Sequence, residues 1–393
     1  MKPVQIENLC RAYLDLFPQS TPFLFSLAPG RVNLLGEHTD YNDGFVLPLA
    51  VDAHVALVGG RNKDRLVRLY SLDACLGDVF SLDQITLTKD KTWNNCIRGI
   101  CTVLLEAGYP LEGMNIVLQS NLPAKTGLSY SAALEVAAAL FMDELHQFQL
   151  DALDLIRLAR KAENKFIGMK GGIMDQFVSM FGKKDHALFL DCRFLVFESI
   201  AAQFEKLGFV LLVINSGKKS TLGPAGHNLR RAQCEAAVRS LRKHLAGISA
   251  LRDVTVEHLN LINALPRELA MRARHVVTEN QRVLDGARAL KQKDLKTLGG
   301  LLTTSHRSLR DDYKVSSFEL DLLVDLTSSF SGTLGSRMTG VGFGASIISL
   351  VALEQLQELK AKVGREYAQQ TGIRPKFYTF KASAGAKVLH LKP

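Results

Sequence analysis

Hydrophobic positions recur along the chain with the two periods that separate helices from strands. Ile6, Leu9, Tyr13 and Leu16 share one face at helical spacing, which predicts a short first helix. Apolar runs of strand length follow, and the first is expected to stop at Pro29-Gly30. The pattern predicts strands over residues 23–27, 45–58, 66–70, 115–120, 187–191, 209–214, 334–339, 346–351 and 377–380. It predicts helices over 131–148, 153–166 and 353–369, and a largely helical region over 227–306.

The order of these elements indicates an α+β chain. Strands and helices are mixed without the regular alternation of a doubly wound sheet. The length of 393 residues corresponds to two or three domains at about 150 residues each. The change from a strand-rich to a more helical half predicts a division into 1–200 and 201–393, and no internal repeat is found.

Composition and charge narrow the classes of protein to consider. Apolar residues make up 47% and charged residues 22%, which excludes a disordered or collagen-like chain. The net charge of +9 is spread out, and its basic cluster at 230–243 lacks aromatic residues, so nucleic acid is not an expected partner. Neither a signal peptide nor a window of 18 apolar residues is found, so no membrane association is expected. The six cysteines form no C-x-x-C pair, which disfavours zinc and disulfides and favours a reducing cytoplasm.

Residues 28–48 carry a dense mixture of hydrogen-bonding side chains directly after a predicted strand. Arg31, Glu37, His38 and Asp40 are interleaved there with Val, Leu and Gly. Sugar recognition needs such a mixture, because each hydroxyl both donates and accepts a hydrogen bond. A charged surface hairpin is the alternative on composition alone. A metal site at His38 and Asp40 is disfavoured, since no third ligand stands at zinc spacing.

Residues 122–136 predict a glycine-containing turn that leads into a helix. Gly127 lies in the turn, and Ser129 or Ser131 stands at the start of the helix. The free N–H groups and partial positive charge of a helix N-terminus suit a phosphate. The residue order is not that of a Walker A loop, and plain helix capping would also explain the serines.

Two further segments carry weaker signals. Asp175 is flanked by apolar residues and follows Gly171-Gly172, which favours a partly buried carboxylate with a tunable pKa, although a helix cap has the same pattern. The glycine-rich segment 335–345 lies between two predicted strands and permits close approach to a ligand or to another loop.

Ser305, His306 and Asp311 contain the residue types of a catalytic triad. They lie close together in one helical stretch, however, and spacing alone says nothing of nucleophile geometry. A solvated helix end is therefore the preferred interpretation.

The chain as a whole resembles the galactokinases of the GHMP small-molecule kinase family. Residues 30–41, Gly-Arg-Val-Asn-Leu-Leu-Gly-Glu-His-Thr-Asp-Tyr, resemble the galactokinase signature, and 172–177, 305–313 and 335–340 resemble further motifs in the right order. The resemblance implies a two-lobed GHMP kinase fold, with a ribosomal-protein-S5-domain-2-like N-terminal lobe and a ferredoxin-like C-terminal lobe. Whether the last strand returns to the N-terminal lobe is left open. The resemblance also implies a monomer that binds ATP and a small sugar between the lobes.

The resemblance implies roles for individual residues. Asp175 falls at the position of the catalytic base and Arg31 beside it, a pairing that would keep the carboxylate ionised and stabilise charge on the transferred group. The positions implied to bind sugar are Glu37, His38, Asp40, Gly172 and His227, the last standing where the family usually has a tyrosine. The positions implied to bind ATP are Trp93, Lys125, Gly127, Ser129 and Ser131. Those implied to hold Mg²⁺ are Ser131 and Glu163.

The departures from the family pattern cluster on the nucleotide side. Lys125 replaces the first glycine of the phosphate loop, and Tyr130 replaces its middle serine. A lysine at positive φ costs about 1–2 kcal/mol, although its charge would also suit a phosphate. Cys96 replaces an adenine-side tyrosine, and Val341 a glycine of the last loop. On the sugar side, Lys219 stands where many members carry arginine.

Three hypotheses follow from the sequence. The first is an active ATP- and Mg²⁺-dependent galactokinase that forms galactose 1-phosphate and ADP, supported by the intact Arg31, Glu163 and Asp175. The second is a catalytically weak or inactive sugar sensor or regulator, because a loss of about 4 kcal/mol in transition-state stabilisation would slow the reaction about a thousandfold. The third is a kinase for a related sugar such as N-acetylgalactosamine.

Overall fold

The computed structural model describes residues 6–88, 92–123, 126–218, 223–340, 342–343 and 345–391. Three substituted positions, Lys125, Lys219 and Val341, lie outside these residues. The strands are β1 (Leu24–Asn33), β2 (Phe45–Val46), β3 (Pro48–Arg61), β4 (Leu66–Ser71), β5 (Leu76–Ser81), β6 (Met114–Ser120), β7 (His186–Asp191), β8 (Val196–Ala201), β9 (Phe209–Asn215), β10 (Thr333–Thr339), β11 (Ser346–Ala352), β12 (Lys376–Thr379) and β13 (Lys387–His390).

The helices alternate irregularly with these strands, as the α+β expectation requires. They are α1 (Ile6–Leu16), α2 (Thr92–Glu106), α3 (Tyr130–His146), α4 (Ala152–Ala162), α5 (Met174–Phe181), α6 (Pro224–Leu241), α7 (Leu259–Asn263), α8 (Arg267–Lys291), α9 (Leu295–Ser308), α10 (Phe318–Ser328) and α11 (Leu356–Thr371). Wider π-helical turns, Glu163–Ile167 and Leu309–Tyr313, extend α4 and α9. Short 3₁₀ turns span Asp40–Asn42, Phe204–Leu207, Leu251–Asp253, Val256–His258 and Leu353–Gln355.

The strands form three sheets. A six-stranded sheet has the order β13-β1-β3-β6-β4-β5, a four-stranded sheet the order β10-β11-β9-β12, and a three-stranded sheet the order β2-β7-β8. Neighbouring strands are antiparallel except for β4 and β6, which are parallel. The last strand, β13, pairs with β1, with His390 opposite Leu24. The division into 1–200 and 201–393 stays a prediction.

Strand β9 shows how the two halves of the chain share their core. Leu211 and Val213 point into the large apolar cluster that the six-stranded sheet forms with α2 and α3. Val210, Leu212 and Ile214 point the other way, into the cluster formed with α6, α8, α10 and α11. The strand is therefore apolar on both faces, which explains its uninterrupted hydrophobic sequence.

Most predicted elements are confirmed, but two predictions are wrong. The strand predicted over 45–58 is two strands, because β2 pairs with β7 whereas β3 pairs with β1 and β6 in another sheet. The first helix spans residues 6–16 as predicted, but β1 does not stop at Pro29-Gly30. The strand continues to Asn33, because a shift in its register with β3 between Pro29 and Arg31 absorbs the irregular residues. Among the described residues, no helix is both long and apolar enough to cross a bilayer.

Candidate active site

The irregularity in β1 brings Arg31 to the turn before α3. The Arg31 backbone N–H donates to the Leu128 carbonyl oxygen over 3.1 Å. A Cβ atom on Gly30 would lie 2.6 Å from that same oxygen, so only glycine permits the strand to approach the turn this closely. The end of β1 is thereby fixed against the turn that holds Gly127.

Arg31 and Asp175 form a two-point ion pair. The Nε of Arg31 lies 2.7 Å from Oδ1 of Asp175, and Nη2 lies 2.8 Å from Oδ2. The third nitrogen, Nη1, donates to the carbonyl oxygen of Gly127 over 2.7 Å. Burial lowers the pKa of Arg31, but attraction to Asp175 and Glu37 outweighs burial and raises it overall. The guanidinium is therefore held rigidly and charged between the turn and α5.

Ser129 adds a third hydrogen bond to the Asp175 carboxylate. Its hydroxyl donates to Oδ2, and its backbone has a left-handed φ of 57°. Although Ser129 occupies the N-cap position of α3, its side chain caps no backbone group. The alternative that these serines merely cap the helix is therefore wrong for Ser129, and the first N–H groups of α3 are not satisfied by it.

Asp40 and Gly172 are in close contact. A Cβ atom at position 172 would collide with the Asp40 carboxylate, so this position requires glycine. The backbone N–H of Tyr41 donates to Oδ1 of Asp40 over 3.0 Å. Burial, reinforced by the nearby charge of Asp175, raises the pKa of Asp40 to about 6.

Two imidazole rings face the same space with an unpaired nitrogen each. The Nδ1 of His38 is bonded to the hydroxyl of Tyr41 at 2.9 Å, while its Nε2 has no partner among the described residues. The Nδ1 of His227 likewise has none there, and the two ring centres are 5.9 Å apart. Burial lowers the pKa of both histidines, so both are neutral near pH 7.

Glu37 is gripped by the end of β10. Its Oε1 lies 2.6 Å from Nη2 of Arg337, and it accepts the Gly340 N–H over 2.8 Å and the Thr339 hydroxyl over 3.1 Å. Arg337 is fully buried and also donates to the carbonyl oxygen of Leu34 over 2.8 Å. Because Oε1 carries these contacts, Oε2 is the oxygen left for a ligand. Nothing in the sequence pointed to this role for Arg337 except its place in a matched motif.

Glu279 lies behind this grip and was not singled out from the sequence. It accepts the Gly36 N–H over 2.9 Å and the Ser305 hydroxyl over 2.8 Å, and it pairs with Arg282 at 2.6 Å. Burial raises the pKa of Glu279, but the cations around it, Arg282 first, lower it to about 2.

The contacts of Ser305, His306 and Asp311 contradict the hypothesis that these residues form a catalytic triad. Its hydroxyl is committed to Glu279, while His306 pairs with Asp321 at 3.2 Å and Asp311 with Arg310 at 3.0 Å. The three residues therefore do not form a nucleophile, base and acid.

Glu163 belongs to a buried acidic pair that the sequence did not reveal. The side-chain amide of Gln176 donates to Glu163 over 3.0 Å and to Glu135 over 3.1 Å, and so bridges the two carboxylates. Burial and mutual repulsion raise the pKa of Glu135, and burial with repulsion from Asp175 raises that of Glu163. Cys96 is buried beside Glu135, so the residue that replaces the adenine-side tyrosine faces the interior.

A single cavity collects most of the predicted site residues. It is lined by Arg31, Glu37, His38, Asp40, Glu163, Gly172, Asp175, His227 and Gly340, among others. Gly127 and Ser129 reach its edge through their bonds to Arg31 and Asp175. Trp93 and Ser131 do not line it: Trp93 is half-buried near the start of α2, and Ser131 lies on the first turn of α3.

The glycine-rich segment after β10 meets the turn before α3. A Cβ atom on Gly340 would lie 3.2 Å from the carbonyl oxygen of Gly127. This contact confirms the expectation that these glycines permit close approach to another loop. It also links Glu37, through the Gly340 N–H, to the turn that holds Arg31.

Comparison with known proteins agrees with this geometry. Residues 11–61 match the galactokinase galactose-binding signature, 95–183 the GHMP kinases N terminal domain and 287–369 the GHMP kinases C terminal. The galactokinase of Roseiflexus sp. (strain RS-1) is 42% identical over 365 residues, which cover 93% of this chain and 92% of that protein. The chain belongs to the galactokinase family. The galactokinase of Chloroflexus aurantiacus is 43% identical over 387 residues, 98% of each chain.

Solved structures show the same relationship. Lactococcus lactis galactokinase, crystallised with galactose, matches with a TM-score of 0.92 and 32% identity over 97% of this chain and 99% of that chain. The mevalonate kinase of Methanococcus jannaschii matches with a TM-score of 0.64 and 18% identity over 93% of this chain and 100% of that chain, which shows the shared fold alone. The two-lobed GHMP kinase fold and the α+β class are confirmed.

Proposed function

We propose that this protein transfers the γ-phosphoryl group of ATP to the anomeric hydroxyl of α-D-galactose, giving galactose 1-phosphate and ADP. The observation that carries the proposal is the Arg31–Asp175 ion pair, because it joins the cavity to the turn at the start of α3. The cavity next to the ion pair is suited to bind a sugar, and the N-terminus of α3 on the other side of the pair is suited to bind a phosphate.

Asp175 is proposed to orient the attacking hydroxyl. A carboxylate has about four acceptor positions, and Arg31 and Ser129 use three of them. One acceptor position, on Oδ1, is left for the sugar hydroxyl. Phosphoryl transfer depends mainly on such positioning and on charge stabilisation, so an ionised aspartate held at both oxygens is suited to it.

Arg31 and the start of α3 are proposed to bind the phosphates of ATP. Arg31 is fixed by three hydrogen bonds and carries its charge beside the nucleophile. The open N–H groups of α3 add partial positive charge, and Gly127, Ser129, Ser131 and Lys125 are proposed to follow the phosphates. Trp93 is proposed to contact the adenine.

The metal that this chemistry implies is Mg²⁺. Among the described residues, no three His, Cys, Asp or Glu side chains are grouped to hold a metal unaided. Mg²⁺ fits nevertheless, because it usually combines one or two protein ligands with phosphate oxygens and water. Glu163, raised in pKa beside Asp175, and the Ser131 hydroxyl are proposed to hold it, where it would neutralise phosphate charge.

The sugar is proposed to bind Glu37, His38, Asp40, His227 and the backbone of Gly172. These residues combine acceptors and neutral imidazoles in one cavity, as a ring of hydroxyls requires. A monomer stays a prediction. All six cysteines lie within the described residues and form no disulfide there, which is compatible with the proposed cytoplasmic location.

The proposal is tested by ADP release with galactose, N-acetylgalactosamine and glucose. We expect galactose-dependent turnover, and Asp175→Asn to lower kcat by roughly 10²–10⁴-fold. Galactose should still raise the melting temperature of that variant. The matched control is Asp253→Asn, because Asp253 forms a similar two-point pair with Arg193 away from the cavity.

The same assay separates the alternatives. Stabilisation by galactose without any turnover in the wild-type protein would favour a sensor. Faster turnover of N-acetylgalactosamine than of galactose would favour the related-sugar kinase.

A further inference from the structure

A chain of hydrogen bonds runs from the cavity wall into the interior. Nδ1 of His38 lies 2.9 Å from the hydroxyl of Tyr41, which lies 2.7 Å from the hydroxyl of Tyr313. The Tyr313 hydroxyl lies 3.3 Å from the Sγ of Cys234. All four side chains are buried, with His38 only 6% exposed. The chain joins the signature segment to the π-helical turn after α9 and to α6.

His38 lines the cavity together with Tyr41. Its pKa is held well below the usual value by burial and by neighbouring His227, so the ring is neutral. A neutral imidazole carries one hydrogen, and the bond made by one nitrogen decides which nitrogen holds it. The bond to Tyr41 at Nδ1 therefore decides what Nε2 offers to a ligand.

The chemistry of the three links favours one direction. A phenol is a better donor than acceptor and an unprotonated imidazole nitrogen is a good acceptor, so Tyr41 donates to Nδ1 of His38. Tyr41 has then used its hydrogen and must accept from Tyr313, which in turn accepts from the Cys234 thiol. In this direction the hydrogen that has no acceptor in the chain is the one on Nε2 of His38, a residue that lines the cavity. The reverse direction would instead leave the hydrogen of the buried Cys234 thiol without a partner in the chain.

We propose that Tyr41 and Tyr313 are positioning residues that fix His38 with its hydrogen on Nε2, so that His38 donates to a sugar oxygen in the cavity. The unpaired Nε2 of His38 is the atom that this bond would satisfy. A substituent at that sugar position must therefore accept a hydrogen bond. A fluorine, which accepts weakly but cannot donate, should be tolerated there better than a hydrogen atom, and an ammonium group should be rejected. The part of this inference that concerns the sugar rests on the proposed function, whereas the state of His38 does not.

The first test reads the ring directly, without any ligand. Two-bond ¹H–¹⁵N spectra of the histidine rings near pH 7.5 distinguish protonated from unprotonated nitrogens, and His38→Gln identifies the signals of His38. We expect Nε2 to be protonated and Nδ1 to show the shift of a hydrogen-bond acceptor. Tyr41→Phe should abolish that Nδ1 shift, and Tyr313→Phe should weaken it. A proton on Nδ1 in the wild-type protein, or an Nδ1 signal unchanged in Tyr41→Phe, overturns the proposal.

The matched control is Tyr13→Phe. Tyr13 is also fully buried and its hydroxyl bonds to Ser20 over 2.6 Å, but it lies in the apolar cluster under α1. The substitution Tyr13→Phe should therefore leave the NMR signals of His38 unchanged.

The second test measures kcat/KM for galactoses in which one hydroxyl is replaced by fluorine or by hydrogen. The position served by His38 is the one at which His38→Ala removes the penalty of the deoxy sugar. At that position we expect the fluoro sugar to exceed the deoxy sugar by about 2–10-fold, the value of one hydrogen bond. Tyr41→Phe should bring this ratio towards one, and comparing variants cancels the electronic effect of fluorine on the reaction itself.

The outcomes of the second test are distinct. A fluoro sugar no better than the deoxy sugar, or a ratio unchanged in Tyr41→Phe, contradicts donation by His38. A complete lack of turnover with galactose contradicts the proposed function instead, and the spectrum then decides the state of His38.

Discussion

Asp40, which is proposed to bind the sugar, lies in surroundings that make its ionised form lower the stability of the fold. Its carboxylate is packed against Gly172 and lies near the charge of Asp175, and these surroundings raise its pKa to about 6. In the unfolded chain its ordinary pKa is 3.8. Because the folded pKa is the higher one, the ionised side chain destabilises the ligand-free protein above about pH 6, and this cost disappears below about pH 4.

Asp40→Asn should therefore gain stability relative to the wild type as the pH rises. Between pH 4 and pH 7 we expect the difference in unfolding free energy to move by about 2–3 kcal/mol in favour of asparagine. Urea unfolding at several pH values without sugar measures it. Asp253→Asn is the control, because Arg193 lowers the pKa of Asp253 and its contribution to stability therefore changes below about pH 4 and stays nearly constant between pH 4 and pH 7. A difference that does not depend on pH would contradict the cost of ionising Asp40.

Glycine is needed at position 172 because the Asp40 carboxylate leaves no space there for a side chain. Since a Cβ atom would overlap the Asp40 carboxylate, Gly172→Ala must displace one of them. We expect the galactose KM to rise at least tenfold, with little change in ATP affinity. The control is Gly168→Ala, because no atom lies within 4 Å of a Cβ there, although its φ of +80° carries some strain. Equal effects of the two variants on the galactose KM would argue against the contact.

Residues at the end of β10 and just after it converge on one oxygen of Glu37. Arg337 and Thr339 of β10, and Gly340 directly after the strand, all approach Oε1, although they are far from Glu37 in sequence. The strand can do this only because β10 is held by β11 and packed on α9. The orientation of the Glu37 carboxylate, which is proposed to bind the sugar, thus depends on the register of a distant sheet.

Thr339→Val removes one bond of this grip without changing the shape of the strand. We expect the galactose KM to increase by about 2–10-fold, the loss of one hydrogen bond, with kcat changed less. Thr333→Val on the same strand is the matched control, because the Thr333 hydroxyl has no partner among the described residues. Steady-state kinetics with galactose decide between them, and an unchanged KM in Thr339→Val would show that the grip does not position Glu37.

Helices and strands could be predicted from the sequence where residues close together in the chain determine them. The apolar period located α1 and α3, and the motif at residues 30–41 located the cavity wall. The predicted end of β1 was too early, because Pro29-Gly30 is typical of the end of a strand. In the structure the pairing with β3 extends β1 beyond these residues. The buried bridge of Gln176 between Glu135 and Glu163 had no local signal, because it depends on α3 and α5 meeting in space.

For the molecule as a whole, Glu279 connects the signature segment to the helical half. It accepts hydrogen from Gly36 and Ser305 and balances Arg282, and its pKa is lowered to about 2. Its folded pKa is below the ordinary 4.5. The carboxylate therefore stabilises the protein above about pH 4.5, and this contribution is lost as the pH falls towards 2.

Glu279→Gln should destabilise the protein by about 3–5 kcal/mol at pH 7, because it leaves Arg282 without its buried counter-charge. Chemical unfolding measures this loss, which should shrink as the pH is lowered. Ser305→Ala removes only one hydrogen bond to Glu279 and should cost about 0.5–1.5 kcal/mol. Similar losses of unfolding free energy in Glu279→Gln and Ser305→Ala would contradict the inference that the charge of Glu279 connects the signature segment to the helical half.

The pairing of β13 with β1 has a consequence for how the chain folds as it is made. One edge of β1 has no partner until residues 387–390 have been synthesised, long after β3 has covered the other edge. During translation the nascent protein therefore exposes an open strand edge beside a nearly complete sheet, a surface that invites pairing with other chains. Synthesis of the helical half must be finished before that edge is closed, so slow translation there should increase aggregation more than slow translation of the first strands.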